Sequence, residues 1–200
     1  MKNKFLIGLT TMGLVLVLFT GCSKLPQAEI DLANAAIEEA KAAGADIYKP
    51  NDFITLQDSM KSVMVNIESQ KSKFIKNYSN AKKELESVTA LAQNVKQETF
   101  IRKEEVKLEI QNMNVEVKKL IETNKQLISE APKGKEGATA LMAIKGELSV
   151  VETSLSEAEA YFQKEEYLTS LDIVKSAKDK ATALNEELSG VIAKYKASRR

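Results

Sequence analysis

The side chains able to do chemistry are few in these 200 residues, and their spacing works against a shared site. There is no histidine, so the chain offers no imidazole base and no imidazole metal ligand. Cys22 is the only cysteine, which leaves no partner for a disulfide within the chain. Carboxylates come as adjacent pairs at Glu38–Glu39, Glu104–Glu105, Glu165–Glu166 and Glu186–Glu187. Neighbouring helix positions point about 100° apart, so such a pair cannot close on one substrate and reads as a solvated face. Lys133–Gly134–Lys135–Glu136 lacks the spacing and the hydroxyl of a phosphate-binding loop. We assign no catalytic residue, no metal ligand and no cofactor, and expect a protein that is not an enzyme.

The aromatic residues carry the remaining candidate surface. Tyr48, Phe53, Phe74, Tyr78, Tyr161, Phe162 and Tyr167 fall near the ends of expected helical hairpins. They suit an aromatic-lined groove for a partner, and equally the end-packing of a bundle that has no tryptophan. Lys194, Lys196, Arg199 and Arg200 form a basic tail, read as solvated charge at a helix end.

Cys22 has a more specific context. Lys2 and Lys4 form a positive segment, Phe5 to Phe19 an apolar one, and small residues lead to the cysteine. The apolar stretch is short for a transmembrane helix, which needs roughly 20 residues. Phe19-Thr20-Gly21-Cys22 resembles the lipobox of bacterial lipoproteins, with Phe19 where leucine is usual and Leu18 one place earlier. That resemblance implies removal of residues 1–21 and acylation of Cys22. The partner of the anchor is then a membrane, reached through N-terminal acyl chains. Ser23 after the cysteine resembles the outer-membrane sorting pattern. The expected location is the cell envelope, on the outer membrane facing the periplasm in an organism with two membranes. Removing Lys2 and Lys4 from 29 basic residues leaves 27 against 28 acidic ones, a formal net of −1. Nothing in that balance favours nucleic acid.

Beyond the leader the chain reads as helix. Pro26, Pro50 and Pro132 punctuate it, and Gly44, Gly134 and Gly137 fall at two of the same breaks. Residues 22–26 are an acylated tether. A first helix is expected over 27–45, with Ile30, Ala33, Ile37 and Ala40 on one face. Gly44 to Pro50 is a turn, and Asn51 or Asp52 suits the cap of the next helix. A stripe at 3.5 spacing then runs from Phe53, Leu56, Met60, Val63, Ile67 and Phe74 through Tyr78, Leu85 and Val95 to Val106, Val117 and Leu127. Asn77 and Asn80 suit a turn near 75–80, which the stripe does not require. A helix from Asn80 to Glu130 would be roughly 75 Å long. After a linker at 131–137, Leu141 to Phe162 and Tyr167 to Ile192 form a hairpin with a tight turn at Lys164–Glu166.

The expected fold is therefore all-α: an elongated antiparallel helical bundle of coiled-coil-like hairpins with about five helices. It divides into an N-terminal helical region (27–130), the linker (131–137) and a C-terminal hairpin (138–200). A weak echo suggests a second arrangement, two three-helix bundles sharing the long helix. Leu56, Met60, Val63, Ile67 and Phe74 align with Ile144, Leu148, Val151, Leu155 and Phe162, 88 residues on. After a one-residue slip, Tyr78, Ala81, Leu85, Val88 and Ala92 align with Tyr167, Ser170, Val174, Ala177 and Ala181.

Two resemblances extend this reading. Residues 35–50, Ala-Ala-Ile-Glu-Glu-Ala-Lys-Ala-Ala-Gly-Ala-Asp-Ile-Tyr-Lys-Pro, resemble a family of bacterial lipoproteins. Its members share an alanine-rich helix, a Gly-Ala-x-x-Tyr-x-Pro turn and a second amphipathic helix. The family carries a domain of unknown function, often beside outer-membrane-protein-A-like peptidoglycan-binding domains; no such domain is visible here, and its glycan binding is not carried over. Ala158-x-x-Tyr161 with Tyr167-x-x-Ser170, Val174 and Ala177 looks like a tetratricopeptide hairpin, but Glu165 replaces the turn glycine and the closing proline is missing. We read it as a generic helical hairpin.

The expected role is structural or interactive: a lipid-tethered protein part of whose Phe53–Leu127 stripe stays open for an envelope protein or a second copy. A peptidoglycan-associated spacer like the major outer-membrane lipoprotein is the alternative, although Ser198-Arg199-Arg200 lacks that protein's terminal lysine. A small-ligand carrier is a third, with no polar cavity pattern to support it.

Overall fold

The structure, a computed structural model, describes residues 24–132 and 135–198. The leader with Cys22, together with Lys133, Gly134, Arg199 and Arg200, lies outside the described residues. The fold is all-α. Six helices follow one another: α1 (Gln27–Ala42), α2 (Ala45–Tyr48), α3 (Pro50–Lys71), α4 (Ser79–Glu130), α5 (Lys135–Gln163) and α6 (Tyr167–Ser198). No strand occurs among the described residues.

The chain forms two compact units, Met1–Arg102 and Lys103–Arg200, and the division falls inside α4. The break after Glu130 therefore joins two helices of one unit. In the first unit α1 lies parallel to the start of α4, because Glu29 pairs with Lys82 at 2.7 Å and Glu39 with Lys96 at 2.9 Å. Between them α3 runs the other way, with Asn66 Nδ2 donating to Glu84 at 2.9 Å. The core comprises Ile30, Ala33, Ile37 and Ala40 from α1, Phe53, Leu56, Met60, Val63 and Ile67 from α3, and Tyr78 to Val95 at alternate spacings of three and four from the α4 side. Ala33 and Ala40 have no exposed surface, and their size lets α1 approach its neighbours closely.

The second unit repeats the scheme. The later part of α4 is parallel to α6, with Lys175–Glu109 at 3.1 Å and a Lys178–Glu116 pair. The antiparallel α5 is tied to α4 by Lys125–Glu152 at 3.0 Å and to α6 by Ser170 Oγ donating to the Ala158 carbonyl at 2.7 Å. Within the core Asn124 is fully buried; its Nδ2 donates to the Ala181 carbonyl at 2.8 Å and its Oδ1 accepts from Asn185 at 2.9 Å. The aligned positions of the sequence echo are buried in both hairpins, with the exception of the Phe74–Phe162 pair.

Several expectations are corrected. The first helix stops at Ala42, and the turn to α3 contains the single helical turn α2. Neither Asn51 nor Asp52 caps α3: Lys49 takes that position and Pro50 the first helical one, where a missing N–H costs nothing. The chain breaks between α3 and α4, so Phe74 leaves the apolar row and is 99% exposed. In the second half of α4 the row moves to Ile121, Asn124 and Ile128, leaving Met113, Leu120 and Leu127 half-buried.

The α5–α6 turn forms without glycine. Glu165 adopts φ +63°, while Glu166 N–H donates to Tyr161 O and Glu165 N–H to Phe162 O, each at 3.0 Å. This is the paired bonding of a Schellman end, which needs a left-handed residue at Glu165. A side chain there carries a steric cost that glycine avoids. Glu165→Gly is expected to stabilise the fold by about 1 kcal/mol, read as a higher denaturation midpoint in urea with an unchanged slope.

Candidate functional site

The Gly-Ala-x-x-Tyr-x-Pro segment at residues 44–50 has a defined shape. Gly44 takes φ +94°, and a Cβ built there would lie 3.2 Å from Tyr48 Cδ2, so the tyrosine ring covers the glycine. Ala45 is fully buried at the start of α2, and both Ile47 and Tyr48 donate their N–H to the Gly44 carbonyl at 3.0 and 2.9 Å. Lys49 ends the turn with φ −138° and ψ 52°, neither helical nor extended, and Pro50 opens α3. The Lys49 ammonium then forks, reaching Asp52 at 2.8 Å and Glu98 of α4 at 2.9 Å. The hydrogen bond to Asp52, then that to Glu98, pushes the Lys49 pKa up to about 12. Each residue of the pattern thus has a job in reversing the chain. Lys49 itself was not legible as important, because Glu98 lies far away in sequence.

The aromatic residues divide between the two units. Phe53 and Tyr78 are buried in the first unit and Tyr167 in the second. Tyr48, Tyr161 and Phe162 are half-buried. Phe162 meets Tyr167 edge-to-face, with centroids 5.2 Å apart, and Lys107 Nζ stands 4.9 Å over the Tyr167 ring. Lys164 lies 5.4 Å from the Tyr161 ring centroid. These are end-packing contacts, closing hairpins whose cores hold mostly Ala, Val, Leu and Ile. Phe74 alone of the seven projects into solvent. Most of the apolar stripe is core, including Phe53, Leu56, Val63, Tyr78, Leu85, Val95, Val106 and Val117, whereas Phe74 is exposed and Met113, Leu120 and Leu127 are half-buried.

No cluster of three or more metal-capable side chains occurs among the described residues. Glu39 faces Lys96 and Glu104 faces Lys107, so these acids act on neighbouring lysines. A groove of about 580 Å³ between α3 and α4 is lined by Thr55, Ser59, Ser62 and Ser87 with Asp58 and Glu84. Thr55, Ser59 and Ser87 donate to carbonyls of their own helices at 2.8–2.9 Å, which leaves the groove weakly equipped for a ligand. Among the described residues no helix is long and apolar enough to cross a membrane. The chain matches no known family model, and no curated protein and no solved structure is significantly similar to it.

Two outcomes test the turn. Gly44→Ala forces a side chain into a left-handed backbone against Tyr48 and is expected to cost about 1–2 kcal/mol of unfolding free energy. Lys49 has a folded pKa above its unfolded value, so its two ion pairs stabilise fully below about pH 10.4 and are lost as the pH climbs through about 12. Lys49→Met is therefore expected to be less stable than the parent at pH 9, with the gap closing by pH 12 in urea titrations. A gap that stays constant with pH would show that the lysine acts through its aliphatic stem alone.

Proposed function

We propose that this chain is a bacterial envelope lipoprotein, acylated at Cys22, whose helical units have a non-catalytic structural or protein-interaction role. The observation that carries the reading is the run from Lys2 to Cys22: a positive start, an apolar core and small residues before a cysteine. Folded structure begins close behind it. Pro26 is buried, and its carbonyl accepts the first bond of α1 from Ile30 at 3.0 Å. Such a short tether would hold the first unit next to its membrane. The geometry of residues 44–50 gives the likeness to the alanine-rich lipoprotein family a physical content, because a glycine, a small residue, a tyrosine and a proline each meet a requirement of the turn.

The non-catalytic role rests on the absent histidine, on the single cysteine placed at the anchor, and on carboxylates that pair with lysines. Interaction with an envelope protein or another copy would use outer helix faces, since most of the apolar stripe is core. In an organism with two membranes the destination is the outer membrane, facing the periplasm.

Replacing Cys22 tests the anchor. The full chain should incorporate radiolabelled palmitate and fractionate with membranes, whereas Cys22→Ala should lose the label and either leave the membrane fraction or keep its leader. Equal labelling of both chains would overturn the proposal.

A further inference from the structure

We propose that the connection between α3 and α4 is a second membrane contact, inserting Phe74 and Ile75 into the surface of an anionic bilayer. The inference rests on the anchoring proposed at Cys22 and adds a site to it. Phe74 is 99% exposed and Ile75 72% exposed, side by side at the tip of the connection. Lys73 precedes them and Lys76 follows. From Ser69 to Lys83 there are five lysines and no carboxylate. Two of the five are held within the unit, Lys71 by Glu68 and Lys82 by Glu29. Lys73 and Lys76 pair with no carboxylate among the described residues, so the charge beside the apolar tip is uncompensated.

The position of the tip selects the occupant. The Glu29–Lys82 pair sets the first turn of α1 beside the first turn of α4. The connection leading into α4 therefore lies at the same end of the unit as the residues that precede α1. Cys22 is separated from Pro26 by a few residues, a reach of roughly 14 Å at about 3.5 Å per residue. A bilayer holding acyl chains at Cys22 would then face this end, and Lys24 and Leu25 are exposed there as well. Two adjacent apolar side chains are too small an area for a stable protein interface, which buries roughly 800 Å² per partner. They suit the headgroup boundary, where lysines reach anionic lipid while their stems and the apolar pair go deeper.

The tip is displayed from a fixed base. Tyr78 is 2% exposed in the core, and the Asn77 Oδ1 accepts the Ser79 N–H at 2.9 Å, ordering the start of α4. Neither Phe74 nor Ile75 supports the core, so substituting them leaves the fold intact.

The test places a fluorescent NBD label on Phe74→Cys in the full acylated chain, where the Cys22 sulfur carries lipid and the new thiol is the one open to labelling. The chain is reconstituted in vesicles of phosphatidylglycerol and phosphatidylcholine, with Val65→Cys on α3 as the control position. The expected result is blue-shifted emission and quenching by headgroup-level spin-labelled lipid at residue 74, weaker in pure phosphatidylcholine and absent at residue 65. An aqueous spectrum at residue 74 in the vesicle-bound chain overturns the contact while leaving the anchor standing. So does a photocrosslinker at this position that captures protein instead of lipid. If Cys22 proves unmodified, the anchor fails, and the full Cys22→Ala, Phe74→Cys chain added to the same vesicles still decides the tip: a blue shift upholds it and none overturns it.

Discussion

Every helix longer than one turn carries most of its buried apolar side chains at spacings of three and four, and in each unit two neighbouring helices cover that row. A row of that period is an apolar stripe along one side of the helix, with polar residues on the other. Three helices close it. The first unit does so with α1, α3 and the start of α4, and the second with the rest of α4, α5 and α6. The long helix changes partners along its length, and its row shifts there: the pattern from Tyr78 to Thr99 steps by three and four, and the next buried position is Val106. The cross-helix ion pairs are partly exposed and each contributes little, so burial of the row carries the stability.

A few polar residues also sit inside that row. Thr99 and Ser170 satisfy their hydroxyls on the Val95 and Ala158 carbonyls. Asn124 does more, because its two bonds reach across to α6. Sliding α6 by one turn would strand a buried amide, an outcome that an all-apolar seam would not penalise. Its place in the row, between Ile121 and Ile128, was a signal available in the sequence, since a lone asparagine at a seam position is a recognised register device.

Period and proline placement made most of the helices legible, and the points of failure have specific causes. Phe74 stands one heptad after Ile67, so periodicity assigns it to the core; the helix ends first, at Lys71, without a glycine or proline to announce it. Asn51 and Asp52 look like caps, but Pro50 fixes the helix start one residue earlier. The α5–α6 turn was visible from the slip in spacing even though Glu165 is an improbable left-handed residue. The candidate surface fared worse, because aromatic residues mark hairpin ends whether they pack inward or outward. Residue type does not separate Tyr78 from Phe74; only the helix boundary does.

The two hairpins put that distinction to use. In an up-down-up bundle the second connection always returns to the end at which the first helix begins, so topology brings this loop beside the residues preceding α1 whatever its composition. In the second unit the equivalent connection is Lys164-Glu165-Glu166, a tight turn in which Phe162 folds back on Tyr167. In the first unit the connection is longer, acid-free and rich in lysine, and the aligned Phe74 points away from the core. One scaffold position thus serves packing in one unit and exposure in the other. The difference follows from loop length: the three-residue turn keeps Phe162 within one step of Tyr167, whereas the longer connection carries Phe74 beyond the last turn of α3 and leaves no neighbouring helix to cover it.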